Sequence, residues 1–177
     1  CFSVATSRMS GPFQGAHSCT GYPKNLVAQY IENNPSYQIH PETLDEKAIQ
    51  DCVQWLESFG ATETPLIFAT ASPDEVKAAQ SKLGVAEAGA LVEHAMASIA
   101  QAAHKMGVRR FVVAGGETSG AVTQALGVSQ VMIGREICPG VPWVFSESDE
   151  CLIGLALKSG NFGSPTFFND ALQLLEG

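Results

Sequence analysis

The sequence predicts an α/β fold, a three-layer αβα domain with a mainly parallel or mixed sheet, and three observations predict it. Apolar runs of strand length alternate with segments of helical periodicity along most of the 177 residues. Helical segments carry capping residues at the front and glycine at the back. The apolar run Arg110 to Ala114 stops at Gly115-Gly116, and an alanine-rich helical stretch begins just beyond it. That order is strand, tight turn and helix N-terminus, the unit from which layered α/β domains are built.

The elements follow in chain order. Ser7 to Pro23 is polar and turn-rich, and residues 7–23 read as a mobile loop. Thr43-Leu44-Asp45-Glu46 reads as a capping box ahead of Ile49, Cys52, Val53 and Leu56 at helical spacing, with Gly60 as the stop. Pro65 to Ala71 reads as a buried strand. Ser72-Pro73-Asp74-Glu75 opens the next helix with a cap, a proline at the first position and a glutamate that completes the box. Leu91, Ala95, Ile99, Ala102 and Met106 share one face of a long helix from about Ala86 to Met106, which Gly107 ends.

Beyond the strand Arg110 to Ala114, a helix runs to Leu126 and ends at Gly127, and Gln130 to Ile133 form a short strand. A turn at Pro139-Gly140, a β segment at Trp143 to Phe145, an acidic loop at Glu147 to Glu150 and a strand from Cys151 to Leu157 come next. Ser164-Pro165 opens a last helix that carries Phe168, Leu172 and Leu175.

Composition narrows the function classes. With 45% hydrophobic residues the chain can fill the core of one ordinary domain. A net charge of −8, with Arg109-Arg110 as an adjacent basic pair just ahead of a strand, argues against nucleic acid as a partner. No run of about 18 apolar residues occurs, so no membrane partner is expected and a cytoplasmic location is the default. The five cysteines include no Cys-x-x-Cys pair, which favours free buried thiols over disulfides or a zinc knuckle. A chain that opens on Cys1 is expected to be part of something longer.

In open α/β sheets ligands bind beyond the carboxyl ends of the strands, and two glycine turns fall there: Gly115-Gly116 and Ser159-Gly160-Asn161. Glycine lets the backbone approach a ligand closely. Thr118 and Ser119 are candidate helix caps, and the first N–H groups of that helix point at whatever lies over the turn, which suits a phosphate. The alternative is a plain β–α connection, since neither a Walker loop nor a Gly-x-Gly-x-x-Gly spacing is present. Lys158 reads either as a point charge for phosphate or as a strand-end lysine in solvent. Glu117 reads either as a Mg²⁺ ligand or as a charge complementing the helix dipole. His94 and His104, ten residues apart, read as solvated helix positions and not as metal ligands. Trp143 reads as core packing, and Phe162 as core or as the border of an adenine.

Three motifs in order carry a resemblance: Gly115-Gly116-Glu117-Thr118-Ser119-Gly120, Pro139-Gly140-Val141-Pro142-Trp143, and Leu157-Lys158-Ser159-Gly160-Asn161-Phe162-Gly163. With them the chain resembles the C-terminal nucleotide-binding domain of the four-carbon acid-sugar kinases, firmly so from about Arg109 onward. The resemblance implies that residues 1–177 are the nucleotide-binding C-terminal domain of a longer two-domain kinase that uses ATP and Mg²⁺. It implies nucleotide contacts from Gly115, Gly116, Glu117, Thr118, Ser119, Lys158, Ser159, Gly160 and Asn161. The family usually carries aspartate where this chain has Glu117. Its C-terminal domain opens with a strand leading into a Ser-Cys-Ser turn, which here matches either the segment around Ser3 or Ser18-Cys19-Thr20.

The same resemblance places the acceptor, a four-carbon acid sugar of the erythronate, threonate or 3-oxo-tetronate type, with an N-terminal domain that begins with an Asp-Asp-x-Thr-Gly motif. That motif does not occur here, so the catalytic residue is left unassigned. Which acid sugar and which hydroxyl are used stay open, as does the oligomeric state, a homo-oligomer included. A non-catalytic nucleotide- or phosphometabolite-binding module is the alternative reading.

Overall fold

The structure is a computed structural model that describes residues 3–7, 30–60, 63–69, 73–148, 151–159, 164 and 166–175. The described strands are β1 (Ser3–Ser7), β2 (Ser36–Gln38), β3 (Leu66–Phe68), β4 (Arg110–Ala114), β5 (Met132–Cys138), β6 (Val141–Ser148) and β7 (Cys151–Lys158). The helices are α1 (Glu46–Glu57), α2 (Pro73–Leu83), α3 (Val85–Lys105), α4 (Gly116–Ala125) and α5 (Phe167–Gln173), with a 3₁₀ turn at Pro41–Thr43. The strands form one sheet in the order β2-β3-β1-β4-β7-β6-β5. It is mixed: β2 with β3 and β4 with β7 pair in parallel, while β1 runs against both its neighbours and β6 against both of its own.

Strand alternation decides which side chains meet which helices. Along β4, Phe111 and Val113 face one way and join Cys52, Val92, Ile99 and Val122 of α1, α3 and α4. Val112 and Ala114 face the other way and join Trp143, Phe167, Phe168 and Leu172. Two apolar layers therefore sandwich the sheet, giving the αβα fold expected of it. Cys52 is fully buried, and burial pushes its thiol up to about 12.

Two helix ends follow the predicted punctuation, whereas α1 ends at Glu57 with Ser58 as its C-cap, ahead of Gly60, and α5 opens at Phe167 with Thr166 as its N-cap instead of at Ser164-Pro165. At α3 the Val108 amide reaches the Ala103 carbonyl and the Gly107 amide the His104 carbonyl, a Schellman motif that needs the positive φ (+96°) of Gly107. Gly127 closes α4 in the same way. At α1 the cap lies two residues later than expected: the Asp45 carboxylate accepts from the Ala48 amide at 2.8 Å, and Thr43 belongs to the preceding 3₁₀ turn. The helix start is set by Asp45, whose extended backbone and short acceptor satisfy the first turn.

The buried stripe of α3 is also rotated from expectation. Ala88, Val92, Ala95, Met96, Ile99 and Ala103 are buried, whereas Leu91 is exposed. α3 packs against α4, α2 and α1 at once, so its buried arc is wider than the single row read from spacing and centres on Val92 and Met96. His104 lies within that arc: it is buried, not solvated, and Arg109 Nη1 lies 3.1 Å from its Nδ1. The Val108 carbonyl oxygen lies 3.4 Å from the same nitrogen.

Candidate functional site

The strands that lead into the two turns singled out from sequence lie side by side. β4 and β7 are parallel neighbours with Ala114 opposite Lys158, so both strands end at the same edge. The Gly115 amide donates to the Lys158 carbonyl at 2.9 Å, carrying the ladder one step past the strand. Gly115 then turns the chain with φ of +124°, a conformation that L side chains disfavour, and α4 begins at Gly116.

That early start changes the roles of two residues. Thr118 and Ser119 do not cap α4, because the N-cap is Gly115, with no side-chain bond, and both hydroxyls lie inside the first turn. The first intrahelical bond runs from the Ser119 amide to the Gly115 carbonyl at 2.9 Å. The amides of Gly116, Glu117 and Thr118 precede the ladder and have no acceptor within the helix. Thr118 is fully buried, and neither its Oγ1 nor the buried Oγ of Ser119 has a hydrogen-bond partner. Buried hydroxyls without partners cost about 1–3 kcal/mol each.

Gly116 and Glu117 are exposed, and a Cβ added at Gly116 would meet nothing within 4 Å. Glu117 sits in the first turn of α4, where its charge complements the helix dipole. Among the described residues no group of three His, Cys, Asp or Glu side chains is placed to hold a metal.

Lys158 is not a strand-end lysine in solvent. It is 2% exposed, its Nζ donates to the Ser159 carbonyl at 3.2 Å, and it stands 5.8 Å from the centre of the Phe167 ring. Burial holds its pKa below the usual lysine value, while nearby Cys138 pulls the other way. Strand alternation carried this signal in the sequence, since Lys158 lies two residues beyond Ala156 and so shares its buried face.

The remaining candidates divide. Ser159 is exposed at the end of β7. Ser3 opens β1 opposite Ala114 and Phe68, so the antiparallel course of β1 brings its first residue, not a following turn, to this edge. Ser18, Gly160, Asn161 and Phe162 lie outside the described residues. Trp143 is fully buried and its indole N–H donates to the Ala171 carbonyl at 2.9 Å, so it is a core residue as expected. No helix among the described residues is long and apolar enough to cross a membrane.

Residues 18–168 match the family model described as the nucleotide-binding C-terminal domain. The chain is 52% identical over 154 residues to a 3-oxo-tetronate kinase of Pseudomonas savastanoi and 50% identical over 153 residues to one of Burkholderia multivorans. Each alignment covers 85% of this chain and 35% of the relative, so the chain spans about a third of the length of these kinases. A solved Haemophilus influenzae protein superposes with a TM-score of 0.79 at 34% identity, over 96% of this chain and 42% of that one.

Proposed function

Since this chain belongs to the nucleotide-binding C-terminal domain family, we propose that the turn after β4 and the turn after β7 together hold the phosphates of ATP. The observation that carries the reading is the pair of buried, partnerless hydroxyls of Thr118 and Ser119 behind three helix N-terminal amides, tied to Lys158 through the Gly115 bond. Amides ahead of a helix ladder, hydroxyls and an ammonium are donors only or can act as donors, and a polyphosphate offers only acceptors at neutral pH.

We also propose that residues 1–177 are the ATP-binding C-terminal domain of a longer kinase that phosphorylates a four-carbon acid sugar. The relatives at 50–52% identity, named 3-oxo-tetronate kinase, support 3-oxo-tetronate as the acceptor. Mg²⁺ fits this donor set as an ion carried by the phosphates: it keeps several waters and needs only one or two carboxylates, and Glu117 is exposed beside the amides. Bound there, the metal neutralises phosphate charge. Phosphoryl transfer otherwise asks for positioning, which here falls to the N-terminal amides, Thr118, Ser119 and Lys158.

Thermal unfolding with and without Mg-ATP tests the reading. Saturation at about one hundred times Kd should add about 2.7 kcal/mol of stability. An unchanged midpoint at millimolar Mg-ATP would refute it.

A further inference from the structure

A cleft of about 280 Å³ opens beside the first turn of α4. Its walls come from elements that follow the carboxyl ends of successive strands: Pro41 after β2, Ala79 and Gln80 of α2 after β3, and Glu117 of α4 after β4. The floor is the N-terminal half of α3, where Val85, Gly89, Val92 and Glu93 contribute. We propose that this cleft holds the purine base of the bound nucleotide, with the exocyclic amino group facing Glu93 and Gln80.

Three observations carry the assignment, which rests on the phosphate reading above. The first is position. Glu117 belongs both to the cleft and to the turn whose amides face the phosphates, so a ligand seated on that turn reaches the cleft without crossing the sheet. The second is chemistry. The lining holds the carboxylates of Glu93 and Glu117, the amide of Gln80 and several small apolar side chains, but no lysine, arginine or histidine. Such a surface repels phosphate and accepts a flat uncharged ring that donates N–H bonds. Its volume equals that of about nine liquid waters, room for a bicyclic base.

The third observation is Gly89. A glycine inside a helix costs stability relative to alanine, and a Cβ built here meets only the Glu93 Oε1 at 3.7 Å, an ordinary contact. Nothing in the described chain requires the missing side chain. What the glycine preserves is the open floor of the cleft, and Val85 stands at its mouth 68% exposed, an apolar side chain with a ligand face to cover.

The test compares ATP with inorganic tripolyphosphate, by titration calorimetry on the 177-residue chain and two variants. Gly89→Leu fills the floor at a position where helix propensity improves. Ala86→Phe, at an exposed lining position, obstructs the cleft without touching the core. Both folded variants should lose at least about tenfold in affinity for ATP and keep that for tripolyphosphate. If either folded variant binds ATP as tightly as the parent chain, the base is elsewhere and the cleft assignment is overturned while the phosphate reading stands. A parent chain that binds neither ligand overturns both.

Discussion

The Gly115 amide donates to the Lys158 carbonyl at 2.9 Å, and this one bond joins the ends of two strands across 43 residues of chain. It holds the end of β4 against the end of β7 and fixes where α4 begins. Gly115 can make the bond and still turn because its φ of +124° is open to glycine. The adjacent glycines therefore differ: Gly115 is required by its backbone conformation, while a Cβ at Gly116 would meet open space.

Substitution separates them. Gly115→Ala forces an L side chain into a left-handed conformation and should cost about 1–3 kcal/mol, with loss of ATP stabilisation as the first turn shifts. Gly116→Val meets open space in the chain, so its fold should stay within about 0.5 kcal/mol of the parent, yet it should lose the ATP-induced shift because the branched side chain occupies phosphate space. Paired thermal melts with and without Mg-ATP measure both. A folded Gly116→Val that keeps the full shift would remove the turn from the phosphate site.

Thr118 supplies a sharper sign. Thr118→Val replaces a buried, partnerless hydroxyl by a methyl of similar size, which relieves a desolvation cost. The ligand-free protein should gain up to about 1 kcal/mol while ATP binding weakens by about tenfold. A structural threonine would give the opposite pattern, with lower stability and unchanged binding, so chemical denaturation and calorimetry on one variant decide the matter.

How much of this was legible beforehand depends on range. Gly107, Gly127 and the strand Arg110–Ala114 were readable because a helix stop and a short apolar strand are encoded by their own residues. The cap at Asp45 was displaced because Thr43 and Asp45 both offer an oxygen, and only the backbone decides which is used. β2, three residues with one largely exposed end, has too little periodicity to be seen. Within the site, the glycine turns were visible as sequence, but the orphaned hydroxyls of Thr118 and Ser119 were not, since that state depends on the helix starting at Gly116 instead of beyond them. The burial of His104 likewise comes from α3 packing against several helices at once, a long-range fact.

Lys158 should couple binding to pH. Burial lowers its folded pKa below the unfolded value of 10.5, so below the folded pKa the lysine is charged in both states and its desolvation weighs fully against folding. As pH rises from the folded pKa toward 10.5, the unfolded state holds the proton longer and stability increases. Lys158→Met should abolish that rise. A phosphate beside Nζ favours the charged form, so ATP binding in alkaline buffer should take up protons, visible as a dependence of calorimetric heat on the ionisation enthalpy of the buffer. Heats independent of the buffer at every alkaline pH would place Nζ away from the phosphates. In neutral solution Lys158→Met should weaken ATP by about tenfold and adenosine hardly at all, because only the charged end of the ligand loses a partner.

The site described here offers groups for the phosphate donor: amides, hydroxyls, Lys158 and the carboxylate of Glu117. The sequence holds no Asp-Asp-x-Thr-Gly motif. Holding two reactants in register contributes about 7–11 kcal/mol to well-oriented reactions, so a chain that binds only the donor should fall to background and not merely slow down. Coupled ADP release with 3-oxo-tetronate, erythronate and threonate, measured for these 177 residues and for a longer parent carrying an acceptor domain, makes the comparison. The short chain should release no ADP above background with any of the three acids, while the parent should respond to at least one, and most strongly to 3-oxo-tetronate, the acid in the names of the relatives. Acceptor-dependent release from the short chain would mean that it carries its own catalytic base. Glu117→Gln would then be the first variant to make, since Glu117 is the carboxylate nearest in sequence to the helix amides and the only one in their turn.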